Sequence, residues 1–390
     1  MSFSMPQPRL PAALFLLTLC TPTVPLLAAP RAVALMRAPG GGLQPQAVVD
    51  GRGALHLIYF RGDPAGGDVF YVRKGPEAGA AFSGPLRVNS VSHSAIAIGA
   101  IRGPQIAVGQ DDRVHVSWNG VGPKGANGYA RLYVAYARLN DAGTAFEPQR
   151  NLLGAGEEVD GGGSVAADGR GHVYVTWHSS PPGGSEAAGA VFLARSGDGG
   201  RTFARARKIS VRPTGQCGCC SMRAFVDRAG GLFVLYRAAG GGFDRDTTLL
   251  VSGDGGTTFR STVLGRWKLG ACPMSSFALA EAPSGVLGAW ETAGQVYRAP
   301  LSGGAAQVPV AMPAPGTGER KYPAVASNTR GETLLAWVEG AGWGHGGSLA
   351  WQVYDKNGVA EGPTGRTTGV PTWSLISAAT RSDGSFLLVY

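Results

Sequence analysis

The chain lacks several things, and each shortage closes off a class of protein. Beyond the N-terminal segment there is no run of about 20 apolar residues, the length a membrane-spanning helix requires. No Lys/Arg tract exists, and basic residues do not interleave with aromatic ones, so the footprint of a nucleic-acid binder is missing. Cysteine is scarce, 5 in 390 residues, and none has the spacing of a standard zinc knuckle. Glycine (62) and proline (26) are abundant instead. They fall as punctuation between short apolar runs, which argues for many strands joined by turns and against disorder.

The N-terminus reads MSFSMPQPR, LPAALFLLTLC, TPTVPLLAAP. A lone Arg9, an apolar run of about eleven residues and small residues at Ala28 and Ala29 predict a secretory signal peptide over 1–29. Residues 30–390 are then one domain, exported to the periplasm or beyond the cell. Leu19 and Thr18 fit a lipid-anchor signal at Cys20 poorly. The net charge of +9 comes mostly from arginine and would attract an anionic partner such as an acidic glycan. A generally Arg-rich composition explains it equally well. A monomer is expected.

Two stretches nearly repeat each other, SGDGGRTF at 196–203 and SGDGGTTF at 252–259. Each follows an alternating apolar run. Asp can bond the backbone ahead of it, Gly accepts positive φ, and Phe can pin the turn to the core. Weaker copies are LNDAGTAF at 139–146 and GPEAGAAF at 75–82. From Glu77 through Asp141 and Asp198 to Asp254 the steps are 64, 57 and 56 residues, enough for one four-stranded blade each. The turns resemble the Asp-box, or BNR repeat, of sialidases and related β-propellers. That resemblance implies an all-β propeller with the Asp-box turns on its outer side, where Asp198 and Asp254 are structural.

Seven hairpins give a count of their own: QAVVDGRGALHLIYF, QIAVGQDDRVHVSW, SVAADGRGHVYVTW, RAFVDRAGGLFVLY, FALAEAPSGVLGAW, AVASNTRGETLLAW and LISAATRSDGSFLLVY. A third strand follows the first six. The seventh stops at Tyr390, leaving an edge that the N-terminal strand RAVALMR (31–37) is free to cover. The expectation is seven blades closed by that strand, with six, the number typical of sialidases, as the alternative.

Candidate chemistry lies where inner strands start and second strands end. The second-strand ends supply Arg61, Asn119, His178, Arg237, Glu291 and Glu339, next to Phe60, Trp118, Trp177, Tyr236, Trp290 and Trp337. The inner-strand starts supply Arg102, Asp160, Arg223, Tyr322 and Trp373. Such a ring suits a glycan or small ligand, although a strand-end Trp can equally just pack between blades. Sialidases hold the substrate carboxylate with three arginines, use a Tyr activated by a Glu as nucleophile, and an Asp as acid/base. Their Arg-x-Pro motif has a counterpart in IRGPQIAV, at Arg102 and Pro104. The resemblance therefore implies Tyr322 as nucleophile, Glu291 (or Glu158) as its base and Asp160 as acid. Arg102, Arg223 and Arg320 bind the substrate, with Arg237 in reserve and His178 and Trp373 beside them. It also implies exo-glycosidase action on an anionic, sialic-acid-like sugar. The rival expectation is a non-catalytic propeller that binds a glycan, a protein or a soft metal ion.

Cysteines cluster in QCGCCSMR (216–223) and GACPMSS (270–276), each just ahead of an inner strand in successive blades. An exported setting and an even count favour disulfides among Cys217, Cys219, Cys220 and Cys272. A bridge from the first group to Cys272 would close about 53 residues and contribute about 4 kcal/mol. The alternatives are a soft-metal site for Cu(I) or Zn, with Met222, Met274 or His178 nearby, and a redox role. No other cofactor is expected. The CxCC and CPM segments resemble those of uncharacterised exported bacterial proteins of the sialidase-like, exo-alpha-sialidase kind.

Overall fold

The structure, a computed structural model, describes residues 1–5, 33–77, 79–124, 130–154, 159, 161–181, 183–211, 214–301 and 310–390. Met1–Pro30 forms a unit of its own, and Arg31–Tyr390 is the body described below. It is a seven-bladed β-propeller of six four-stranded sheets and one three-stranded sheet. The inner strands are Leu43–Val49, Gln105–Val108, Ser164–Ala167, Arg223–Val226, Phe277–Ala282, Arg320–Ser327 and Ser377–Thr380, one for each of blades 1 to 7. Among the described residues no helix is long and apolar enough to cross a membrane.

The second strands explain the apolar runs of the sequence. Each lies between two neighbouring blades, so both of its faces are covered. Val173–Ser179 and Leu232–Arg237 are buried at every position. The core consists of layers between blades: Phe233 and Leu235 of blade 4 pack on Phe277, Leu279 and Trp290 of blade 5. Trp118, Trp177, Trp290 and Trp337 are all buried in such layers. Burial of each is worth about 2–3 kcal/mol, so the strand-end tryptophans are packing residues.

The seam closes as the hairpin count predicts, with one difference. Val33–Met36 completes blade 7 by pairing with Phe386–Val389, in parallel, and among the described residues this blade has three strands. The other blades are antiparallel because hairpins join their strands. A strand arriving from the far end of the chain has no such constraint. It must finish where the blade 1 inner strand begins, and Phe386–Val389 also finishes at that end. The Ala38 N–H donates to the Tyr390 carbonyl (3.0 Å) and ties the two ends of the propeller together.

The strong Asp-box turns lie at the opposite end, beside the inner hairpin turns; the Gly199 N–H donates to the Gly171 carbonyl (2.8 Å). Asp198 accepts from the Ser196 hydroxyl (2.7 Å), the Thr202 N–H (2.9 Å) and the Thr202 hydroxyl (2.6 Å). Asp254 repeats this with Ser252 and Thr258 (2.7, 2.8 and 2.6 Å). The Thr258 side chain and backbone, then Ser252, hold the Asp254 carboxyl far below the usual range. An arginine from the preceding blade clasps each turn: Arg150 donates to the Arg201 carbonyl (2.6 Å) and Arg207 to that of Thr257 (2.7 Å). The weak copy at 139–146 departs from the pattern. Asn140 caps that turn through the Thr144 N–H (3.0 Å), while Asp141 pairs with Arg113.

Candidate functional site

The end where inner strands begin and second strands finish is the rim on which the candidates converge. Four of the six strand-end candidates fasten one blade to the next. Asn119 Nδ2 donates to the Gly161 carbonyl (3.0 Å), and His178 Nε2 to the Cys220 carbonyl (2.8 Å). Arg237 donates to Ser275 Oγ (2.8 Å) and to the Glu291 carbonyl (2.5 Å), while Glu291 itself takes Lys321 Nζ (3.1 Å). Each reaches the entry of the following blade. Glu339 instead accepts from Trp337 and Arg366 (3.1 and 3.2 Å), and Arg61 lies over the Phe70 ring (5.7 Å). Much of the ring seen in the sequence is therefore a set of locks between blades.

One part of the rim is a cavity of about 320 Å³, walled by Trp267, Met274, Tyr322, Trp343 and Trp373, with Glu291, Glu319 and Lys321 as its charged groups. Trp343 and Trp373 stand edge to face (centroids 4.7 Å apart), and Trp343 is 66% exposed. Met274, Tyr322 and Trp373 all have φ between +50° and +61°. Non-Gly residues pay about 1–2 kcal/mol for that backbone, and such strain gathers at ligand sites. At Tyr322 it accompanies a break in strand register between Lys321 and Ala324, which turns both side chains of the Lys321–Tyr322 pair toward the cavity wall.

Tyr322 and Glu291 both line this cavity. Burial pushes the Glu291 carboxyl up to about 7, against the pull of Lys321 and Arg237. Burial and then the Glu291 charge push the Tyr322 hydroxyl well above its ordinary value. The arginines do not join them. Arg237 is 1% exposed and spends its guanidinium on Ser275 and on the carbonyls of Arg245 (2.6 Å) and Glu291. Arg320, fully buried, donates to the carbonyls of Gly316 and Thr317 (both 2.9 Å) and to Gln295 (3.1 Å). Arg223 projects into the central channel, a separate cavity of about 350 Å³, where it binds Gln46 (3.0 Å) and Gln105. Burial there lowers it to about 10. Arg102 alone borders the rim cavity: a Cβ on Gly99 would meet its Nη1 at 3.0 Å and Met274 Cε at 2.5 Å. The expected three-arginine clamp is not assembled, because three of the four guanidiniums are taken by protein oxygens elsewhere. Asp160 and Glu158 lie outside the described residues.

The cysteines do meet on this rim, as free thiols. Cys217 Sγ is 3.3 Å from the sulfurs of both Cys219 and Cys220, non-bonded distances, so the expected disulfides are not formed. Cys217, Cys219 and Cys220 are buried and Cys272 is exposed, in the wall of the rim cavity. Burial pushes the Cys220 thiol up, but hydrogen bonds from Cys217, Cys219 and Ser275 and the Arg237 charge outweigh it.

Sequence reasoning overlooked Lys321, Trp343 and Glu186. Lys321 was hidden by Arg320 beside it, since only the break in register shows which of the two faces the cavity. Trp343 is an aromatic residue in the glycine-rich GAGWGHGG loop, a signal that attention to strand ends passes over.

No family model and no curated protein matches the chain. Solved structures do. An α-L-arabinanase of Penicillium chrysogenum complexed with arabinobiose is 13% identical with a TM-score of 0.55, over 84% of this chain and 99% of that one. A protein of unknown function from Dyadobacter fermentans is 15% identical with a TM-score of 0.54, over 82% and 96%. A Hadza microbial sialidase is 14% identical with a TM-score of 0.50, over 82% and 73%. The chain shares a β-propeller fold with these proteins. At such identities the likeness concerns fold alone.

Proposed function

We propose that the protein is an exported glycan-binding propeller whose rim cavity takes an uncharged oligosaccharide. The observation that carries this reading is the cavity itself: aromatic walls from Trp267, Tyr322, Trp343 and Trp373 around the Lys321–Glu291 pair. Flat aromatic faces pack on the apolar side of a sugar ring, and a few fixed polar groups orient its hydroxyls. Glu291, held near neutral pKa by burial, can accept or donate to a hydroxyl. An acidic sugar fits less well, because Glu291 and Glu319 set two carboxyls against Lys321 and the bordering Arg102, without an arginine clamp. The N-terminal segment supports export.

Calorimetry against neutral and sialylated oligosaccharides tests the reading. A neutral oligosaccharide should bind, and Trp343→Ala or Trp373→Ala should weaken it by about tenfold, equivalent to 1.4 kcal/mol. Binding of sialylated ligands alone would overturn it.

The juxtaposition of Tyr322 and Glu291 favours a second reading, an exo-glycosidase. Tyr322 would attack the anomeric carbon as Glu291 takes its proton, the bond to the aglycone oxygen would break with that oxygen taking a proton from solvent, and water would then release the sugar from Tyr322. Turnover of a fluorogenic sialoside or arabinoside, abolished by Tyr322→Phe, would establish it in place of the first.

A further inference from the structure

The cysteine cluster plays no part in the cavity chemistry above, and its geometry has a meaning of its own. The sulfurs of Cys217, Cys219 and Cys220 all lie within 4.8 Å of one another, and Cys219 is equally close to Cys272 and to a Glu186 oxygen. Four sulfurs therefore converge around Cys219, three buried and one facing solvent. We propose that Cys217, Cys219 and Cys220 form a binding site for Cu(I), with Cys272 as the ligand through which the ion enters.

The surroundings hold the ligands in place. The Cys217 N–H donates to the Arg237 carbonyl (2.9 Å), and the Cys220 carbonyl accepts from His178 (2.8 Å). Ser275 Oγ donates to Cys220 Sγ (3.4 Å), and the Gly218 N–H to Glu186 Oε1 (2.8 Å). Outer-shell partners of this kind orient metal ligands. Arg237, which donates to the same Ser275 hydroxyl that reaches Cys220, and Arg245 on Glu186 (2.9 Å) offset the negative charge that three thiolates bring. The thioether-bearing Met274 packs on the cluster and lines the cavity wall with Cys272, giving an entry path.

The donor set selects the ion. Thiolates favour Cu(I), Zn(II) or iron–sulfur clusters over harder ions. A structural Zn(II) closes a tetrahedron of four ligands. Here the fourth sulfur is exposed, and the carboxylate grouped with it, Glu186, is already held by Gly218 and Arg245. Cu(I) is satisfied by three soft donors in a buried site. Three metal–sulfur bonds of about 2.3 Å in a trigonal plane set the sulfurs roughly 4.0 Å apart, so the two pairs that stand at 3.3 Å must open by about 0.7 Å. Binding is ligand exchange: each S–H that becomes a ligand gives its proton to water, and no electron moves.

The whole protein, reduced and handled without oxygen, is titrated with Cu(I) in the presence of a chromogenic Cu(I) chelator. It should withdraw one equivalent, and X-ray absorption at the copper edge should show sulfur neighbours only. Cys219→Ser and Cys220→Ser should weaken binding by about 100-fold, and Cys272→Ser by about 10-fold. The absorption measurement on the unaltered protein stands even where a variant fails to fold. Three outcomes overturn the proposal: copper left with the chelator, nitrogen or oxygen neighbours in place of sulfur, or Zn(II) retained against equimolar Cu(I). So does a protein mass showing Cys217–Cys220 and Cys219–Cys272 bridges that persist through mild reduction.

Discussion

The two ends of the propeller solve the same problem, satisfying polar groups where strands stop, by different means. At the Asp-box end the bonds of the turn's own carboxylate are local. Ser196, Asp198 and Thr202 satisfy one another within a few residues, in contact with water. At the cavity rim the partners are distant in sequence. Arg237 bonds Ser275 and Glu291, 38 and 54 residues away, and Glu291 pairs with Lys321, 30 residues on. Local, solvated turns tolerate charge cheaply. Buried, long-range pairs hold perturbed groups such as Glu291, and that is where chemistry or binding can be built.

The comparison breaks first at Gly200, where the local end meets the core. Its φ is +76°, and a Cβ would lie 1.9 Å from the Tyr136 hydroxyl. Gly200→Ala should cost more than about 3 kcal/mol in chemical denaturation, against about 0.5 kcal/mol or less for Gly197→Ala, which meets open space. Equal costs would mean that the turn is not docked as described.

Glu291 should show the next largest effect, through pH. Its folded-state pKa is raised, from 4.5 to about 7, so its contribution is complete at low pH and is lost as pH rises through about 7. Relative to Glu291→Gln, the native protein should lose about 3 kcal/mol between pH 4.5 and 7, followed by thermal midpoints in matched buffers. Parallel pH profiles would place Glu291 in water.

Smaller effects separate the two ends further. Asp198→Ala should cost about 1 kcal/mol in stability, since its bonds are exposed, and leave oligosaccharide affinity unchanged. Trp343→Ala should do the reverse, with stability within about 0.5 kcal/mol and the loss confined to binding. A variant that moved both readouts would show the ends to be coupled.

How legible each part was follows from the range of its contacts. The blades, the seam and the strong Asp-boxes could be read because alternation and turn chemistry act over a few residues. Even there, Asn140 took the capping role expected of Asp141, since side-chain choice within a turn depends on the neighbour, here Arg113. The meeting of the cysteine segments with each other could be inferred from their matching places in the repeat. The fate of the arginines could not. Arg223, Arg237 and Arg320 occupy comparable strand ends, yet one enters the channel and two anchor loops. Which carbonyls lie within reach of a guanidinium is set by loop paths that the repeat does not encode.

The chain's own pattern of apolar runs and glycine punctuation determined the all-β blades, their order and the strand free to close them, and favoured seven blades over six. Period and turn chemistry are properties of neighbouring residues, and they survive without knowledge of the whole. Only the tertiary structure decided that the strand-end ring locks blades together, that the arginines are diverted, and that the gathered cysteines stand as free thiols. Those outcomes depend on which distant groups burial brings within 3 Å of each other.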